Sequence, residues 1–118
     1  MPAKLSIIEL RFRDWNSAKN WFCATFSLKP HLEVPADGYC LFDLHGILLA
    51  IKQDEHAQPT EQVLLQWQVE NVENWLAEHT VTLLKPLKIS HEGYRRVILS
   101  GPEGLAMVVY DWQPVAQG

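Results

Sequence analysis

The chain has 118 residues, of which 47% are hydrophobic and 20% charged, and its formal net charge at pH 7 is −4. These values are ordinary for one globular domain. A mildly acidic chain whose densest basic spot is Arg95-Arg96 is a poor candidate for binding nucleic acid or an anionic membrane. The N-terminal sequence lacks the apolar segment of a signal peptide. Cys23 and Cys40 suit reduced thiols, so we expect a cytoplasmic protein.

The first half of the chain predicts a strand, a helix and three further strands. Alternating apolar and charged residues in Lys4–Arg13 are typical of a strand with one buried face. Asp14 is the expected cap of an amphipathic helix over Trp15–Phe26, and Leu28-Lys29-Pro30 is its expected terminator. Turn residues separate the three strands, which are His31–Pro35, Tyr39–Leu44 and Ile47–Gln53.

The second half repeats this order after a polar stretch, residues 54–61, that predicts an exposed linker. A strand over Val63–Val69 precedes the helix cap Asn71, and the segment after the helix is expected to end at Lys85-Pro86. A hairpin closes the chain. Its turn is Gly101-Pro102-Glu103-Gly104, in which Gly104 is expected to take a positive φ. The hairpin strands are Tyr94–Leu99 and Leu105–Trp112.

The two halves align although they share almost no identical residues. Ile7 maps to Leu64, Phe12 to Val69 and Asp14 to Asn71 at one constant offset. A duplicated unit of this kind cannot cover its own sheet alone. We therefore expect a single domain over residues 1–118, with module one at about 4–53, a linker at 54–61 and module two at about 62–112.

This pattern resembles the glyoxalase / bleomycin-resistance / extradiol-dioxygenase superfamily, also called the vicinal oxygen chelate proteins. The resemblance rests on the opening strand with its Asp14, on Ala18 and Trp21-Phe22 in the helix, and on Gly93-Tyr-Arg-Arg with the final hairpin. It covers nearly the whole chain. It implies an α+β fold in which two βαβββ modules form a curled mixed sheet around a cleft.

Metal-dependent members of this superfamily hold a divalent ion with a His in the first strand of a module and a Glu in its last strand. The resemblance places these positions at Ile7, Leu64 and Val108, and the fourth near Ala50. Divalent ions need carboxylate or imidazole donors, which none of these side chains supplies. We therefore expect no metal and no other cofactor.

Strand alternation predicts a candidate binding surface. Leu10 and Phe12 are expected to face the helix, so Ile7, Glu9 and Arg11 face the other way. In the family that this chain resembles, the second face lines the ligand cavity. The complete predicted set is Ile7, Glu9, Arg11, Leu64, Gln66, Gln68, Val108, Tyr110 and Trp112. The alternative interpretation is a solvated sheet face or a dimer contact.

The resulting prediction is a metal-free protein of the bleomycin-resistance type that binds or sequesters an aromatic or amphipathic organic molecule without transforming it. Such proteins are small homodimers, so we expect a homodimer. The first alternative is a divalent-metal-dependent lyase, isomerase or dioxygenase of the glyoxalase type. The second is a structural or regulatory domain whose cavity is filled. The sequence identifies neither a catalytic residue nor the ligand, because one fold supports many activities.

Overall fold

The computed structural model describes residues 2–112. The chain divides between Gln58 and Pro59 into two compact units, called unit one and unit two. Over the described residues, each unit consists of a four-stranded mixed sheet and one α-helix in the order βαβββ. The predicted α+β class and the two βαβββ modules are confirmed.

Unit one follows the predicted elements within one residue at nearly every boundary. Its sheet has the order β1-β4-β3-β2, in which β1 runs parallel to β4 and the other neighbours are antiparallel. The elements are β1 (Ile7–Phe12), α1 (Trp15–Phe26), β2 (Pro30–Val34), β3 (Tyr39–Asp43) and β4 (Leu48–Gln53).

Helix α1 begins and ends for local reasons. The carboxylate of Asp14 accepts a hydrogen bond from the backbone N–H of Ser17 at 3.0 Å, as expected of a helix cap. The helix ends at Phe26 because Ser27 adopts a left-handed conformation with φ 56°, so it stops before the predicted terminator. Phe22 is fully buried, and its ring centroid lies 6.2 Å from that of Phe12 and 6.4 Å from that of Phe42. This aromatic contact places α1 over the β1 and β3 side of the sheet.

Unit two has the same topology, with the sheet order β5-β8-β7-β6 and β5 parallel to β8. Its first strand is shorter than predicted, and the predicted cap Asn71 accepts from the backbone N–H of Asn74 at 2.9 Å. The elements are β5 (Leu65–Gln68), α2 (Val72–Glu78), β6 (Thr82–Ile89), β7 (Tyr94–Ser100) and β8 (Ala106–Trp112).

The expectation that Lys85-Pro86 ends a segment was wrong, because both residues lie inside the edge strand β6. The pairing of β6 with β7 is irregular between Lys85 and Lys88. Proline is tolerated in edge strands and at such irregularities, where its missing N–H breaks no ladder bond. No helix among residues 2–112 is long and apolar enough to cross a membrane.

The turn of the closing hairpin forms as expected. Gly104 has φ 81°, the positive value that the turn requires. Glu103 also lies in the left-handed region with φ 54°, which the sequence did not indicate. The turn sets an antiparallel register in which Tyr94 pairs with Trp112 and Arg95 with Asp111.

Candidate functional site

In unit one, three of the predicted site residues lie on the sheet face opposite α1. Leu10 and Phe12 are buried, whereas the alternate residues Ile7, Glu9 and Arg11 are exposed. Arg11 is already engaged, because its Nε lies 3.0 Å from Glu9 Oε2 and its Nη1 lies 3.5 Å from Asp54 Oδ2.

These two carboxylates, Glu9 foremost through its hydrogen bond, raise the pKa of Arg11. The pKa of Asp54 is lowered, chiefly by the backbone N–H of His56. A ligand carboxylate at Arg11 would therefore compete with two carboxylates of the protein itself, which makes Arg11 a weaker anion-binding candidate than its charge suggests.

In unit two, the face opposite α2 holds most of the other predicted residues, and we call it the open face of unit two. Gln66 pairs with Val108, and Gln68 pairs with Tyr110, so their side chains share one face. Leu64 lies immediately before β5 and is 43% exposed. Met107, Val109 and Asp111 on the opposite face are fully buried, and Val108 on the open face is fully buried as well. Val108 therefore presents no accessible side chain to a ligand.

Three aromatic rings form a cluster on the open face of unit two. The ring centroids of Tyr94 and Tyr110 are 5.7 Å apart, and Trp112 lies 5.5 Å from Tyr94 and 5.9 Å from Tyr110. All three contacts have edge-to-face geometry, the favoured arrangement of aromatic pairs. The Tyr110 hydroxyl donates to Gln68 Oε1 at 3.4 Å. Trp112 remains 54% exposed, which leaves much of its side chain accessible to a planar ligand.

A pocket of about 570 Å³ lies within unit two. Small-molecule sites typically enclose about 300–1,000 Å³ and are mostly apolar with a few polar groups. Its charged lining residues are Glu61 and Lys85. The other residues that line it are Pro59, Thr60, Val63, Leu64, Leu84, Ile98, Gly104 and Ala106.

A second, smaller pocket of about 130 Å³ adjoins the first and is lined by Lys85, Pro86, Lys88, Arg96 and Ile98. These residues were not predicted from the sequence, because Pro86 indicates an end of structure and Arg95-Arg96 is a basic spot of only two residues. The alternation along β7 was the available signal. Arg95, Val97 and Leu99 are buried, and Arg96 and Ile98 between them are half-buried on the open face.

The residues at the metal-equivalent positions do not fit a divalent ion. Ile7, Ala50, Leu64 and Val108 have aliphatic side chains without a donor atom. Within residues 2–112, no group of three or more His, Cys, Asp or Glu side chains is placed to hold a metal. The chemistry of this donor set thus differs from that of a metal-dependent glyoxalase.

The two cysteines are also unsuited to nucleophilic chemistry. Cys40 is fully buried, and this burial raises the pKa of its thiol to about 11. Burial likewise raises the pKa of Cys23. Since the thiolate is the reactive form of cysteine, the raised pKa values disfavour nucleophilic chemistry at both residues.

No protein-family model and no curated protein matches the chain. Solved structures do match it along nearly its whole length. A glyoxalase/bleomycin resistance protein/dioxygenase family enzyme from Burkholderia phytofirmans PsJN is 15% identical with a TM-score of 0.78, over 94% of this chain and 100% of that one. Lactoylglutathione lyase from Agrobacterium tumefaciens is 14% identical with a TM-score of 0.72, over 94% and 95%.

TioX from Micromonospora sp. ML1 is 16% identical with a TM-score of 0.71, over 94% of this chain and 100% of that one. At such low identities, the similarity defines the fold. The chain has the vicinal oxygen chelate fold of the glyoxalase/bleomycin-resistance/dioxygenase proteins, as the resemblance in its sequence predicted. Lactoylglutathione lyase and TioX both have this fold. The fold alone therefore does not define the activity of this chain, which depends on its site residues.

Proposed function

We propose that the chain is a metal-free protein that binds a small aromatic or amphipathic organic molecule on the open face of unit two. The observation that carries the proposal is the apolar pocket of about 570 Å³ within a sheet whose same face bears an aromatic cluster. The aliphatic residues at the metal-equivalent positions favour binding without metal-assisted chemistry. A protein of this kind protects a cell by sequestering a harmful compound, as the bleomycin-resistance type does.

The apolar lining supplies affinity and the polar groups supply orientation. Burial of ligand surface against Leu64, Leu84 and Ile98 contributes about 25 cal/mol per Å². Tyr110 and Trp112 offer ring faces and edges for stacking. The amide groups of Gln66 and Gln68 offer both hydrogen-bond donors and acceptors. The sequence also predicts that unit one contributes Ile7, Glu9 and Arg11 to this site, and this stays a prediction.

A neutral fluorescent probe tests the proposal. N-phenyl-1-naphthylamine has an apolar, planar body and becomes brighter when it leaves water. We expect it to bind the protein, and Leu64→Gln to weaken that binding several-fold. The matched control is Leu32→Gln, because Leu32 is 46% exposed, belongs to unit one and is not one of the residues that line the pocket. An absence of probe binding, or equal effects of the two variants, would contradict the proposal.

Elemental analysis separates this function from the metal-dependent alternative. We expect protein purified without chelator to contain no stoichiometric divalent metal. Zinc, nickel, manganese or iron at one equivalent, lost on chelation together with a lyase, isomerase or dioxygenase activity, would overturn the metal-free proposal.

We also propose that the chain forms a homodimer, which the edge strand β6 supports. Leu83 and Ile89 pair with Leu99 and Arg95 and so lie on the α2 side of the sheet, yet they are 42% and 71% exposed. The seven-residue helix α2 does not cover this edge, and exposed apolar edges favour association. Light scattering should give twice the chain mass of 13.5 kDa, and the mass of a single chain at micromolar concentration would contradict the dimer. The cytoplasmic location stays a prediction.

A further inference from the structure

We infer that the ligand carries an anionic group and that Lys85, Lys88 and Arg96 bind it. This inference rests on the proposed function and identifies the class of ligand as an amphipathic organic anion. It starts from the smaller pocket, whose lining includes these three cations and no carboxylate.

The register of the sheet places the three cations together. Lys88 lies directly opposite Arg96, and Lys85 lies opposite Ile98, which is two residues along the strand from Arg96. Cross-strand neighbours have Cβ atoms about 4.5–5.5 Å apart, and like charges at this distance repel. The pair of Lys88 and Arg96 is therefore unfavourable in the free protein and is relieved when an anion binds between the two side chains.

Within residues 2–112, the charges of this cluster have no acidic partner. Among residues 2–112, none of Lys85, Lys88 and Arg96 has an acidic side chain within ion-pair distance. Arg11 and Arg95 differ, because each contacts two carboxylates. Three cations without a carboxylate partner among the described residues thus lie together in a chain whose net charge is −4.

The shared walls of the two pockets indicate the shape of the ligand. Lys85 and Ile98 line both the larger apolar pocket and the smaller cationic one. A molecule whose apolar body occupies the larger pocket thus places a substituent beside Lys85, Lys88 and Arg96. The planar guanidinium of Arg96 matches a carboxylate, sulfonate or phosphate through two parallel hydrogen bonds. Glu61, the acidic residue in the lining of the larger pocket, disfavours an anionic group near its own position.

Two probes that differ by one anionic group test the inference. 8-Anilinonaphthalene-1-sulfonate has the same aromatic body as N-phenyl-1-naphthylamine and adds a sulfonate. We expect the wild-type protein to bind the sulfonate probe more tightly, and this preference to shrink at high salt because the added attraction is electrostatic. The double variant Lys88→Gln/Arg96→Gln should lose about tenfold in affinity for the sulfonate probe, the scale of a charge-assisted hydrogen bond. Its affinity for the neutral probe should stay within about twofold.

The matched control is Lys4→Gln/Lys29→Gln, which makes the same change in net charge at two exposed residues of unit one. This control should bind both probes as the wild type does, and circular dichroism should show that both double variants are folded. If Lys88→Gln/Arg96→Gln does not fold, Lys85→Gln replaces it with the same expectation in the same direction. Equal wild-type affinities for the two probes, or a loss of sulfonate binding that the control shares, would overturn the inference and leave the proposed function intact. Failure of both probes to bind would overturn the proposed function itself.

Discussion

The two units fasten the first turn of their helices to the sheet at corresponding positions but with different chemistry. In unit one, the backbone N–H of Trp15 donates to the amide oxygen of Gln53 at 3.0 Å. In unit two, the backbone N–H of Val72 donates to the carboxylate of Asp111 at 2.7 Å. Gln53 and Asp111 come from β4 and β8, the strands that pair in parallel with the first strand of each unit. The first N–H of each helix thus has a side-chain acceptor from the sheet, which is a neutral amide in unit one and a carboxylate in unit two.

The residue opposite each anchor accounts for the difference. Gln53 donates its backbone N–H to the carbonyl of Gly38 at 2.7 Å, and the Trp15 ring lies so close that a Cβ on Gly38 would come within 2.9 Å of it. Asp111 instead faces Arg95, whose Nε and Nη2 donate to its two oxygens at 3.1 and 2.7 Å. In unit one, the indole ring of Trp15 packs beside Gly38, as Gln53 does. In unit two, the guanidinium of Arg95 lies beside Asp111 and forms a buried ion pair with it.

The caps show the reverse arrangement. Asp14 caps α1 with a carboxylate, whereas Asn71 caps α2 with a neutral amide oxygen. Each helix start therefore combines one charged and one neutral side-chain acceptor, in opposite order. In both units the N-terminus of the helix needs side-chain acceptors for its unpaired N–H groups. The free-energy cost of using a charged acceptor there depends on how deeply that acceptor is buried.

Among the substitutions that test this comparison, Asp111→Asn is expected to lower the free energy of unfolding most. The pKa of Arg95 is raised, chiefly by its hydrogen bonds to Asp111, so the guanidinium stays charged. Because Asp111 is fully buried, its neutralisation leaves that cation without its main partner, a loss that typically costs about 3–5 kcal/mol. Urea unfolding should show this loss. The control is Glu73→Gln, which removes the other carboxylate that contacts Arg95. Because the Glu73 side chain is 64% exposed, its loss should lower the free energy of unfolding far less.

The second effect, Gly38→Ala, tests the packing of unit one. Gly38 has φ +59°, and an added Cβ would lie 2.5 Å from Gln53 Cβ. Strain and overlap together should cost about 2 kcal/mol. Gly104→Ala is the control, because Gly104 has φ +81°, closer to that of Gly38 than the +112° of Gly46, and no atom lies within 4 Å of an added Cβ. Equal losses for the two variants would mean that Trp15 and Gln53 do not pack against Gly38 as described.

A smaller loss is expected for Gln53→Ala. It removes the acceptor of the Trp15 N–H and a donor to the Arg13 carbonyl, so thermal unfolding should report about 1–2 kcal/mol. Because no ion is left unpaired, this cost must be well below that of Asp111→Asn. A reversed order of the two costs would refute the contrast between a neutral and a charged anchor.

The smallest expected effect is on the stability of the protein at acid pH. The backbone N–H and the hydroxyl of Ser17 lower the pKa of Asp14 below its ordinary value of 3.8. A lowered folded-state pKa means that the cap contributes stability above pH 3.8 and loses it as the pH falls through the folded-state value. Asp14→Asn should therefore flatten the acid limb of a stability–pH curve slightly, whereas Asn71→Ala, in which a neutral cap is lost, should shift the curve without changing its shape.

Local patterns in the sequence predicted most of the fold. The alternation in β1, the cap Asp14 and the turn at Gly104 each depend on neighbouring residues. Helix α1 and the hairpin strands lie within about a residue of the prediction, whereas β1 begins at Ile7 and not at the predicted Lys4. The strand β6 was missed because Pro86 signals an end of structure. Only the sheet shows that Pro86 sits where the pairing with β7 is irregular.

The candidate site was harder to predict because it depends on registers between strands. The hairpin turn alone implies that Arg95 lies opposite Asp111, so the buried pair had a signal in the sequence. In the cluster of Lys85, Lys88 and Arg96, only Arg96 had such a signal, through the alternation along β7. The two lysines had none, because placing them requires the register of a strand that local residues argue against. Alternation did separate Gln66 and Gln68 from the α2 side, because that inference needs one strand only.

The most direct test of ligand binding on the open face of unit two is an NMR titration of the isotopically labelled protein with 8-anilinonaphthalene-1-sulfonate. The account predicts that saturable backbone amide shifts concentrate at Leu64, Lys85, Arg96 and Ile98, and that added chelator does not alter them. Shifts confined to unit one, or shifts that appear only when a divalent metal is added, would contradict it.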